Sequence, residues 1–302
     1  MKKKIQFILI YIFQIIPIIS VAQTTMPRQL ASLPEIIEGK AVAGKITSET
    51  LAAYKGTAVH HSIYLPRDYH ISGSSFPIIV ELTGNKWAPC GSTGKVENAH
   101  LGYSLTLGLG AVVVSVPYVA PNGKENELKW WGDIEKTVSY IEDLIPYLSK
   151  NYNVDTSRVL LCGFSRGSIG VSYVGLHDKK IATLWSAFFT HDHFDGQKEW
   201  RGTSWAPTLA NYRAQAKVRL ERADGRPWYV SFKGKKEDYI LPLKAMGVDH
   251  AASYVFVPIP MNERFPEIPN KVFMHEHNDC WPLFDIPEAD KARKWVKNVL
   301  EM

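Results

Sequence analysis

Short apolar segments alternate with segments of helical periodicity along the chain from Ala58 onward. This alternation is typical of a mostly parallel sheet whose strands are connected by crossover helices. The continuous β-branched run from Val112 to Val114 suits a strand that is buried on both faces. The pattern predicts strands at residues 58–64, 77–82, 111–116, 158–162, 183–189, 228–232 and 271–274.

The clearest helical periodicity covers residues 134–148, where apolar side chains recur every three or four positions. Asp133 precedes this segment as a candidate N-cap, and Pro146 is expected to kink or shorten the helix. Residues 191–226 are poor in strand signals, so we expect them to form a lid or an insertion over the strand ends.

The N-terminus has the pattern of a secretory signal peptide. Three lysines precede an apolar run from Ile5 to Ile19, and the small-residue site Ser20-Val21-Ala22 follows. Cleavage after Ala22 would remove residues 1–22 and leave a secreted or periplasmic protein with no membrane attachment. An uncleaved membrane anchor is the competing interpretation, and Pro17 within the apolar run argues against it.

Charge gives no indication of a nucleic-acid partner. The whole chain has 35 basic and 30 acidic residues, and the three basic residues of the signal peptide leave 32 against 30 after cleavage. A nearly neutral chain without a lysine- or arginine-rich run is not typical of nucleic-acid binding. We expect residues 23–57 to form an N-terminal extension and residues 58–302 to form one α/β domain.

The segment Gly163-Phe164-Ser165-Arg166-Gly167 matches the nucleophile elbow Gly-x-Ser-x-Gly. An apolar strand precedes it and the small-residue stretch 168–172 follows it, as a strand-to-helix turn requires. Such a turn exposes one serine hydroxyl at the carboxyl edge of a sheet. The alternative is an ordinary strand-to-helix loop with a buried serine.

On this motif and its context, residues 58–300 resemble the α/β-hydrolase superfamily. Within it, the chain is similar to the secreted esterase branch that includes polyhydroxybutyrate depolymerases and feruloyl or acetyl xylan esterases. The resemblance implies an α/β-hydrolase fold, with a mostly parallel central sheet and helices on both faces. It also implies a catalytic order of serine, acid and histidine along the chain, and no cofactor.

The histidine of this order is expected near the C-terminus, where His275 and His277 follow a predicted strand. We favour His277, because it lies further into the loop and precedes Trp281-Pro282, similar to the tryptophan-proline that follows the histidine in depolymerase-like esterases. The spacing differs, so His275 stays open.

The acid is expected after the strand at residues 228–232, in a loop similar to the glycine-then-aspartate loop of many relatives. Asp238 is our first choice and Glu237 is the near alternative. Asp192 and Asp195, on the preceding loop, are less favoured.

Two backbone N–H groups are expected to stabilise the oxyanion that forms on a substrate. Arg166 supplies the first, and Asn85, after the strand at residues 77–82, is predicted to supply the second. The side chain of Arg166 is unusual after the serine, and either binds a substrate carboxylate or pairs with a surface acid.

Several aromatic and polar side chains are candidates for the substrate-binding wall. The predicted contacts are Trp281, His191, His193 and Asp195. Tryptophans also stack on sugars, although most pack in cores or at rims. The further tryptophans considered for this role are Trp130, Trp131, Trp200 and Trp205.

A metal-dependent hydrolase is the rival interpretation. His191 pairs with His193, and His275 pairs with His277, each in a His-x-His pattern that is common among metal ligands. If Asp195 or Asp279 completed such a set, the site would hold a divalent ion and generate hydroxide. We predict no metal, because the elbow would then be a coincidence.

The three cysteines are too few for a disulfide scaffold. Cys162 lies inside a predicted strand, whereas Cys90 and Cys280 lie in predicted loops at the carboxyl edge of the sheet. A bridge between these two is therefore the pairing to test in an oxidising compartment.

Together these features predict an exported serine hydrolase that cleaves a carboxylic ester through an acyl-enzyme. An ester decoration on a polysaccharide is the expected substrate. A serine peptidase and a glycan-binding protein without activity are the remaining alternatives.

Overall fold

A computed structural model describes residues 26–200, 204–206, 208–249, 252–268, 272 and 274–302. The predicted signal peptide lies outside these described residues. The strands are β1 (Glu35–Ile37), β2 (Lys45–Glu49), β3 (His61–Tyr64), β4 (Phe76–Leu82), β5 (Val112–Val116), β6 (Val154–Phe164), β7 (Ala187–His191), β8 (Trp228–Phe232) and β9 (Tyr254–Pro258). The α-helices are α1 (Leu101–Thr106), α2 (Ile134–Asn151), α3 (Arg166–Tyr173), α4 (Lys179–Ala182), α5 (Leu209–Glu221), α6 (Glu237–Met246), α7 (Met261–Arg264) and α8 (Pro287–Leu300).

In the described part of the chain, nine strands form one sheet in the order β1-β2-β3-β5-β4-β6-β7-β8-β9. The β2/β3 and β3/β5 pairs are antiparallel, and the other neighbours are parallel. The strands from β4 to β9 therefore end at the same edge of the sheet. In open parallel sheets this edge is where ligands bind.

Helices cover both faces of the sheet. Alternate residues of a strand point to opposite faces, so Ile78 and Val80 of β4 pack in one core layer and Ile79 packs in the other. The first layer contains buried residues of α2 to α6, and the second contains those of α1, α7 and α8. The predicted fold class, a mostly parallel sheet with helices on both faces, is confirmed.

The N-terminal segment departs from the prediction. Residues 23–57 were expected to precede the first strand, yet β1 and β2 lie within them and join the sheet. The register places Ile46 of β2 opposite Tyr64 of β3, and Ile46 is buried in the second core layer. Part of the expected extension is therefore structurally continuous with the domain.

Two further strand predictions differ from the structure. The segment 183–189 was expected to be a strand, but β7 begins at Ala187 and extends to His191, because Leu184 and Trp185 lie in the connection that follows α4. The strand expected at residues 271–274 falls partly outside the described residues, and Val272 and Met274 are not in a strand. The last strand is instead β9, which the pattern did not indicate.

The predicted helix at residues 134–148 is confirmed as α2, which continues to Asn151 with Pro146 inside it. Asp133 is its N-cap, since the carboxylate accepts a hydrogen bond from the N–H of Lys136 at 3.0 Å. The segment at residues 191–226 contributes α5 to the first core layer. None of the described helices is both long enough and apolar enough to cross a bilayer.

Candidate active site

Ser165 lies in a sharp turn between β6 and α3 with a backbone conformation that only a constrained turn imposes. Its φ is 55° and its ψ is −117°. A Cβ on Gly163 would lie 2.2 Å from the carbonyl oxygen of Gly167, and a Cβ on Gly167 would lie 1.8 Å from that of Leu82. Neither position accepts a side chain, so the two glycines permit the turn that the elbow motif predicts.

Ser165, His277 and Asp192 form a continuous hydrogen-bonded chain at the carboxyl edge of the sheet. The Oγ atom of Ser165 lies 3.0 Å from Nε2 of His277, and Nδ1 of the same ring lies 2.6 Å from Oδ2 of Asp192. All three residues are buried, with exposed fractions below a tenth. This is the geometry in which an imidazole takes a proton from a hydroxyl while a carboxylate fixes its tautomer.

Asp192 follows directly after β7 and turns back toward the site. Its φ is 71°, and its N–H donates to the carbonyl oxygen of Ser231 on β8 at 3.0 Å. The N–H of Lys233 donates to Oδ1 at 2.7 Å. Burial opposes ionisation of this carboxyl, but the charges of His191 and His277 and these hydrogen bonds hold its pKa below the usual range. The carboxylate is therefore ionised at neutral pH.

Asp238, the first-choice acid, is not placed beside the histidine. It lies with Glu237 in the exposed first turn of α6. Asp195 is buried but is held by Arg219, whose Nε donates to Oδ2 at 2.8 Å. Of the four carboxylates considered from the sequence, the structure brings Asp192 to the imidazole, which corrects the expected order of preference.

His277 and His275 have different positions, which separates the two histidine candidates. The ring of His275 accepts a hydrogen bond at Nδ1 from the backbone N–H of His277 at 2.9 Å. Its ring lies 5.5 Å from that of Trp87, at the cavity wall. His277 is thus the histidine that contacts Ser165, as favoured from the sequence.

Ser168, which the sequence analysis did not single out, connects the elbow to β7. Its hydroxyl accepts a hydrogen bond from the N–H of His191 at 2.9 Å and lies 2.8 Å from the carbonyl oxygen of Gly163. The N–H of Ser165 donates to the carbonyl oxygen of His191 at 3.0 Å. These contacts fix the turn at Ser165 against the strand that precedes Asp192. A serine three residues after the nucleophile was the available sequence signal.

The two predicted oxyanion donors are close to Ser165, one next to it in the chain and the other in the lining of the same cavity. Arg166 is the first residue of α3, and the first N–H groups of a helix have no carbonyl partner within it. Asn85 lines the same cavity as Ser165, and a Cβ on neighbouring Gly84 would lie 3.5 Å from that of Ser165. The side-chain oxygen of Asn85 accepts the N–H of Trp130 at 2.7 Å, which fixes this loop.

The side chain of Arg166 is buried and has neither of the two roles considered from the sequence. Its guanidinium donates to the carbonyl oxygens of Gly84 at 3.0 Å and Trp130 at 2.6 Å, and to the hydroxyl of Thr83 at 2.9 Å. It also lies over the ring of Tyr118, at 4.1 Å from the centroid. Burial lowers its pKa to about 10. The guanidinium therefore braces the loop after β4 against the elbow.

Ser165 and His277 line an open cavity of about 440 Å³. Trp87 is a further lining residue and is 44% exposed. The cavity wall also includes Lys86, Lys129 and Lys233, and among the described residues no carboxylate contributes to the lining. Lys233 is paired with Glu276 at 2.5 Å, whereas the other two lysines are exposed. The entrance is therefore electropositive.

Of the predicted substrate contacts, His193 lines this cavity, with its ring 5.4 Å from that of His277. Burial lowers the pKa of His193 to about 3. Trp281 and His191 are fully buried and pack against each other with ring centroids 5.4 Å apart. Burial also lowers the pKa of His191 to about 4. These two residues, with the ion-paired Asp195, are core rather than cavity residues, which corrects three of the four predicted contacts.

The other tryptophans considered as sugar-binding candidates pack mainly on one another. The ring of Trp130 lies 5.2 Å from that of Trp205 and 5.6 Å from that of Trp200, and Trp131 lies 5.4 Å from Trp205. Trp87, which the sequence pattern did not indicate, is an exposed indole whose ring lies 5.9 Å from that of His277.

The rival set of metal ligands is not assembled. Both ring nitrogens of His277 are engaged by Ser165 and Asp192, and Nδ1 of His191 lies 3.0 Å from the hydroxyl of Ser231. Among the described residues, the side chains that could hold a metal ion are instead His100, Asp279 and Cys280. The rings of His277 and His191 are engaged in hydrogen bonds with Ser165, Asp192 and Ser231.

The cysteines are free thiols. Cys90 and Cys280 line one cavity, as their loop positions suggested, but the predicted bridge between them is not present.

No protein-family model matches the chain, and no curated protein matches it. Solved structures match over most of its length. An S-formylglutathione hydrolase from Agrobacterium tumefaciens is 13% identical, with a TM-score of 0.51 over 85% of this chain and 94% of that one. The isopeptidase AtxE2 is 15% identical, with a TM-score of 0.52 over 85% of this chain. A thermostable esterase is 14% identical, with a TM-score of 0.48 over 84% of this chain.

This chain spans 40% of the length of the isopeptidase and 62% of that of the thermostable esterase. Sequence identities this low establish the fold alone. The chain has the α/β-hydrolase fold, as the resemblance in its sequence implied.

Proposed function

We propose that this protein is an exported serine hydrolase that cleaves a carboxylic ester through an acyl-enzyme on Ser165. The observation that supports this most is the hydrogen-bonded chain from Ser165 through His277 to Asp192, at the end of a cavity and on an elbow turn. In this assignment Asp192 replaces Asp238 as the catalytic acid. No cofactor takes part in the proposed reaction.

The proposed reaction begins with proton transfer from Oγ of Ser165 to Nε2 of His277 while Oγ attacks the ester carbonyl carbon. The resulting oxyanion accepts hydrogen bonds from the backbone N–H groups of Arg166 and Asn85. His277 then returns the proton to the departing alcohol oxygen as the carbon–oxygen bond of the ester breaks. The acyl group is left on Ser165.

Water completes the cycle by the same steps. His277 accepts a proton from the water as it attacks the acyl carbonyl, and Oγ of Ser165 leaves with that proton when the acid is released. Asp192 keeps the proton of the neutral ring on Nδ1 and stabilises the imidazolium that forms in each half-reaction. Its burial strengthens this interaction because little water screens it.

The substrate that we favour is an ester group attached to a polysaccharide. The exposed indole of Trp87 beside the nucleophile offers a flat apolar face of the kind that stacks on sugar rings. The cavity opens to solvent, so an ester group can enter it while the polysaccharide that carries the ester stays outside. The signal-peptide pattern of residues 1–22 supports export to where such glycans occur.

A fluorophosphonate probe tests the nucleophile. We expect the folded chain and the control Ser74→Ala, at an exposed loop serine, to be labelled with equal yield. Ser165→Ala should abolish the labelling. Labelling that persists in Ser165→Ala, or a folded wild-type chain that reacts with no probe, would contradict the proposal.

A panel of acetyl, feruloyl and methyl-glucuronoyl esters, each with its matched amide, tests the substrate class. We expect hydrolysis of at least one glycan-linked ester and much slower hydrolysis of its amide. Faster cleavage of the amides would indicate a peptidase instead. Trp87→Ala should raise KM for the glycan-linked ester more than for a small ester with the same acyl group.

A further inference from the structure

A second cavity of about 280 Å³ lies beside the active site and shares Cys90 and Phe164 with its lining. Three side chains with metal-binding atoms meet at its wall: His100, Asp279 and Cys280. None of the three belongs to the hydrogen-bonded chain of the nucleophile. Their donor set of imidazole, carboxylate and thiol is one that zinc binds in proteins.

The spacing of these donors fits a tetrahedral ion. Sγ of Cys280 lies 3.8 Å from Nδ1 of His100 and 3.5 Å from Oδ1 of Asp279, and the three ligand atoms lie within 4.8 Å of one another. A tetrahedral zinc ion with bonds of about 2.0 Å to nitrogen or oxygen and about 2.3 Å to sulfur separates such donors by about 3.5 Å. Only small side-chain adjustments are needed to bind the ion.

Hydrogen bonds around the cluster already orient the donors. Oδ2 of Asp279 accepts the backbone N–H of His100 at 2.9 Å, which leaves Oδ1 directed toward the thiol. The side-chain oxygen of Asn278 accepts the N–H of Cys280 at 2.9 Å, and its amide donates to the carbonyl oxygen of His275 at 3.0 Å. Partners of this kind hold metal ligands in position before the ion arrives.

Charge balance favours a divalent cation at this place. Cys280 is 3% exposed, so a lone thiolate there would be costly. An ion of charge +2 that is bound by one carboxylate, one thiolate and one neutral imidazole makes the centre electrically neutral. Buried charges are tolerated when they are compensated in this way.

We propose that His100, Asp279 and Cys280 bind one zinc ion, with a water molecule from the second cavity as the fourth ligand. Binding forms a zinc–sulfur bond and releases the thiol proton of Cys280 to solvent, with no change of oxidation state. Cys90 lines the same cavity but does not belong to this cluster of donor atoms, and its thiol donates instead to the carbonyl oxygen of Trp87 at 3.4 Å.

Such an ion would link the catalytic loop to the helix layer. Asp279 and Cys280 follow His277 in the same loop, and His100 directly precedes α1. The role is therefore positional: the ion holds the loop that carries the imidazole and does not itself touch substrate. This inference does not depend on the proposed esterase activity.

The test uses the full chain, stripped with a chelator, dialysed and reloaded with zinc or cobalt. We expect about one zinc ion per chain by elemental analysis. The cobalt form should have a thiolate-to-cobalt absorption band in the near ultraviolet. Failure of the folded wild-type chain to retain zinc, or a cobalt spectrum without a thiolate band, would overturn the proposal without any variant.

Two cysteine variants give a matched comparison within one cavity. Cys280→Ser should lose the thiolate band and most of the retained zinc, whereas Cys90→Ser should keep both. His100→Gln is a second ligand variant in case Cys280→Ser does not fold, which circular dichroism would reveal. Equal zinc retention in Cys280→Ser and wild type, or equal loss in both cysteine variants, would refute this three-residue site.

Discussion

Oδ2 of Asp192 lies 2.6 Å from Nδ1 of His277, although 85 residues separate them along the chain. The contact depends on three neighbouring strands. Asp192 follows β7, Ser165 follows the neighbouring strand β6, and Ser231 and Lys233 at the end of β8 fix the backbone and carboxylate of Asp192. The sheet thus brings together three hydrogen-bonded side chains that are distant in sequence.

The first prediction separates the two candidate acids. Asp192→Asn should lower kcat by about 10⁴-fold with little change in KM, because the amide no longer holds the productive tautomer of His277. Asp238→Asn, the matched control on the exposed turn of α6, should stay within about threefold of wild type. Steady-state kinetics on one ester measures kcat for both variants. A larger loss of kcat in Asp238→Asn than in Asp192→Asn would assign the acid to Asp238 instead.

The second prediction concerns the backbone of the elbow. Gly167→Ala should lower the free energy of unfolding by more than about 3 kcal/mol, since its Cβ would lie 1.8 Å from the carbonyl oxygen of Leu82 in the central strand β4. Gly225→Ala places alanine at a φ of 71°, an unfavourable conformation that Gly167 does not have, but nothing lies within 4 Å of its Cβ. The free energy of unfolding of this control should fall by only about 1 kcal/mol. Urea unfolding measures both variants. Similar losses of stability in the two would show that the turn accepts a Cβ at position 167.

The third prediction concerns pH and a pair remote from the site, Glu97 and His60, whose Oε1 and Nε2 atoms lie 2.7 Å apart. Their hydrogen bond lowers the pKa of Glu97 to about 2 and raises that of His60. The stability due to Glu97 is therefore complete above its unfolded pKa of about 4.3 and is lost as pH falls toward 2. The stability due to His60 is complete below its unfolded pKa of about 6.5 and is lost as pH rises through its folded value.

Glu97→Gln should therefore be less stable than wild type by up to about 1 kcal/mol between about pH 5 and 6, because the pair is partly solvated. The difference should shrink at both lower and higher pH. Urea unfolding across this range is the measurement, with Glu38→Gln at an exposed site as the control. If the difference in stability between Glu97→Gln and wild type does not change with pH, the pair of Glu97 and His60 is not its source.

The fourth prediction uses the charge of the cavity entrance and rests on the proposed hydrolase activity. Lys86→Glu and Lys129→Glu should each lower kcat/KM about tenfold for an ester that bears a carboxylate, because a cationic entrance attracts anions. A neutral ester should change less than about twofold. Lys150→Glu, in the last turn of α2, is the control. Equal effects on both esters would show that the lysines do not select for charge.

The central architecture could be predicted because its signals are local. Trp228–Phe232 is a strand with the predicted bounds, and α2 follows its apolar periodicity from a capping aspartate. The sharp turn at Ser165 was predictable for the same reason, since the steric demands of the elbow restrict the sequence on both sides of Ser165.

The contact between Asp192 and the imidazole was not expected for two reasons: the loop of Asp238 resembles the glycine-then-aspartate loop of many relatives, and the strand before Asp192 was predicted to end two residues too early. With β7 expected to end at residue 189, Asp192 fell inside a loop with many orientations. In the structure β7 pairs with β8 as far as His191, so Asp192 is the first residue beyond the strand. Strand ends depend on pairing between segments that are far apart, which single-sequence patterns do not contain.

The sequence also does not predict which aromatic and polar side chains near the site are buried. Trp281 and Trp87 are both tryptophans in loops near the site, yet one is fully buried and the other is 44% exposed. Which one faces the cavity depends on packing against His191 and His275, and neither contact leaves a periodic signal in the sequence.

The buried guanidinium of Arg166 also limits how this site can evolve. One side chain satisfies acceptors on two separate loops, at Thr83, Gly84 and Trp130. A shorter or uncharged residue at position 166 would leave several of these acceptors without donors at once. Single substitutions there are therefore disfavoured unless both loops change together. In related sequences we expect these four positions to vary as a set, so a lineage that replaces the arginine should carry a remodelled oxyanion loop as well.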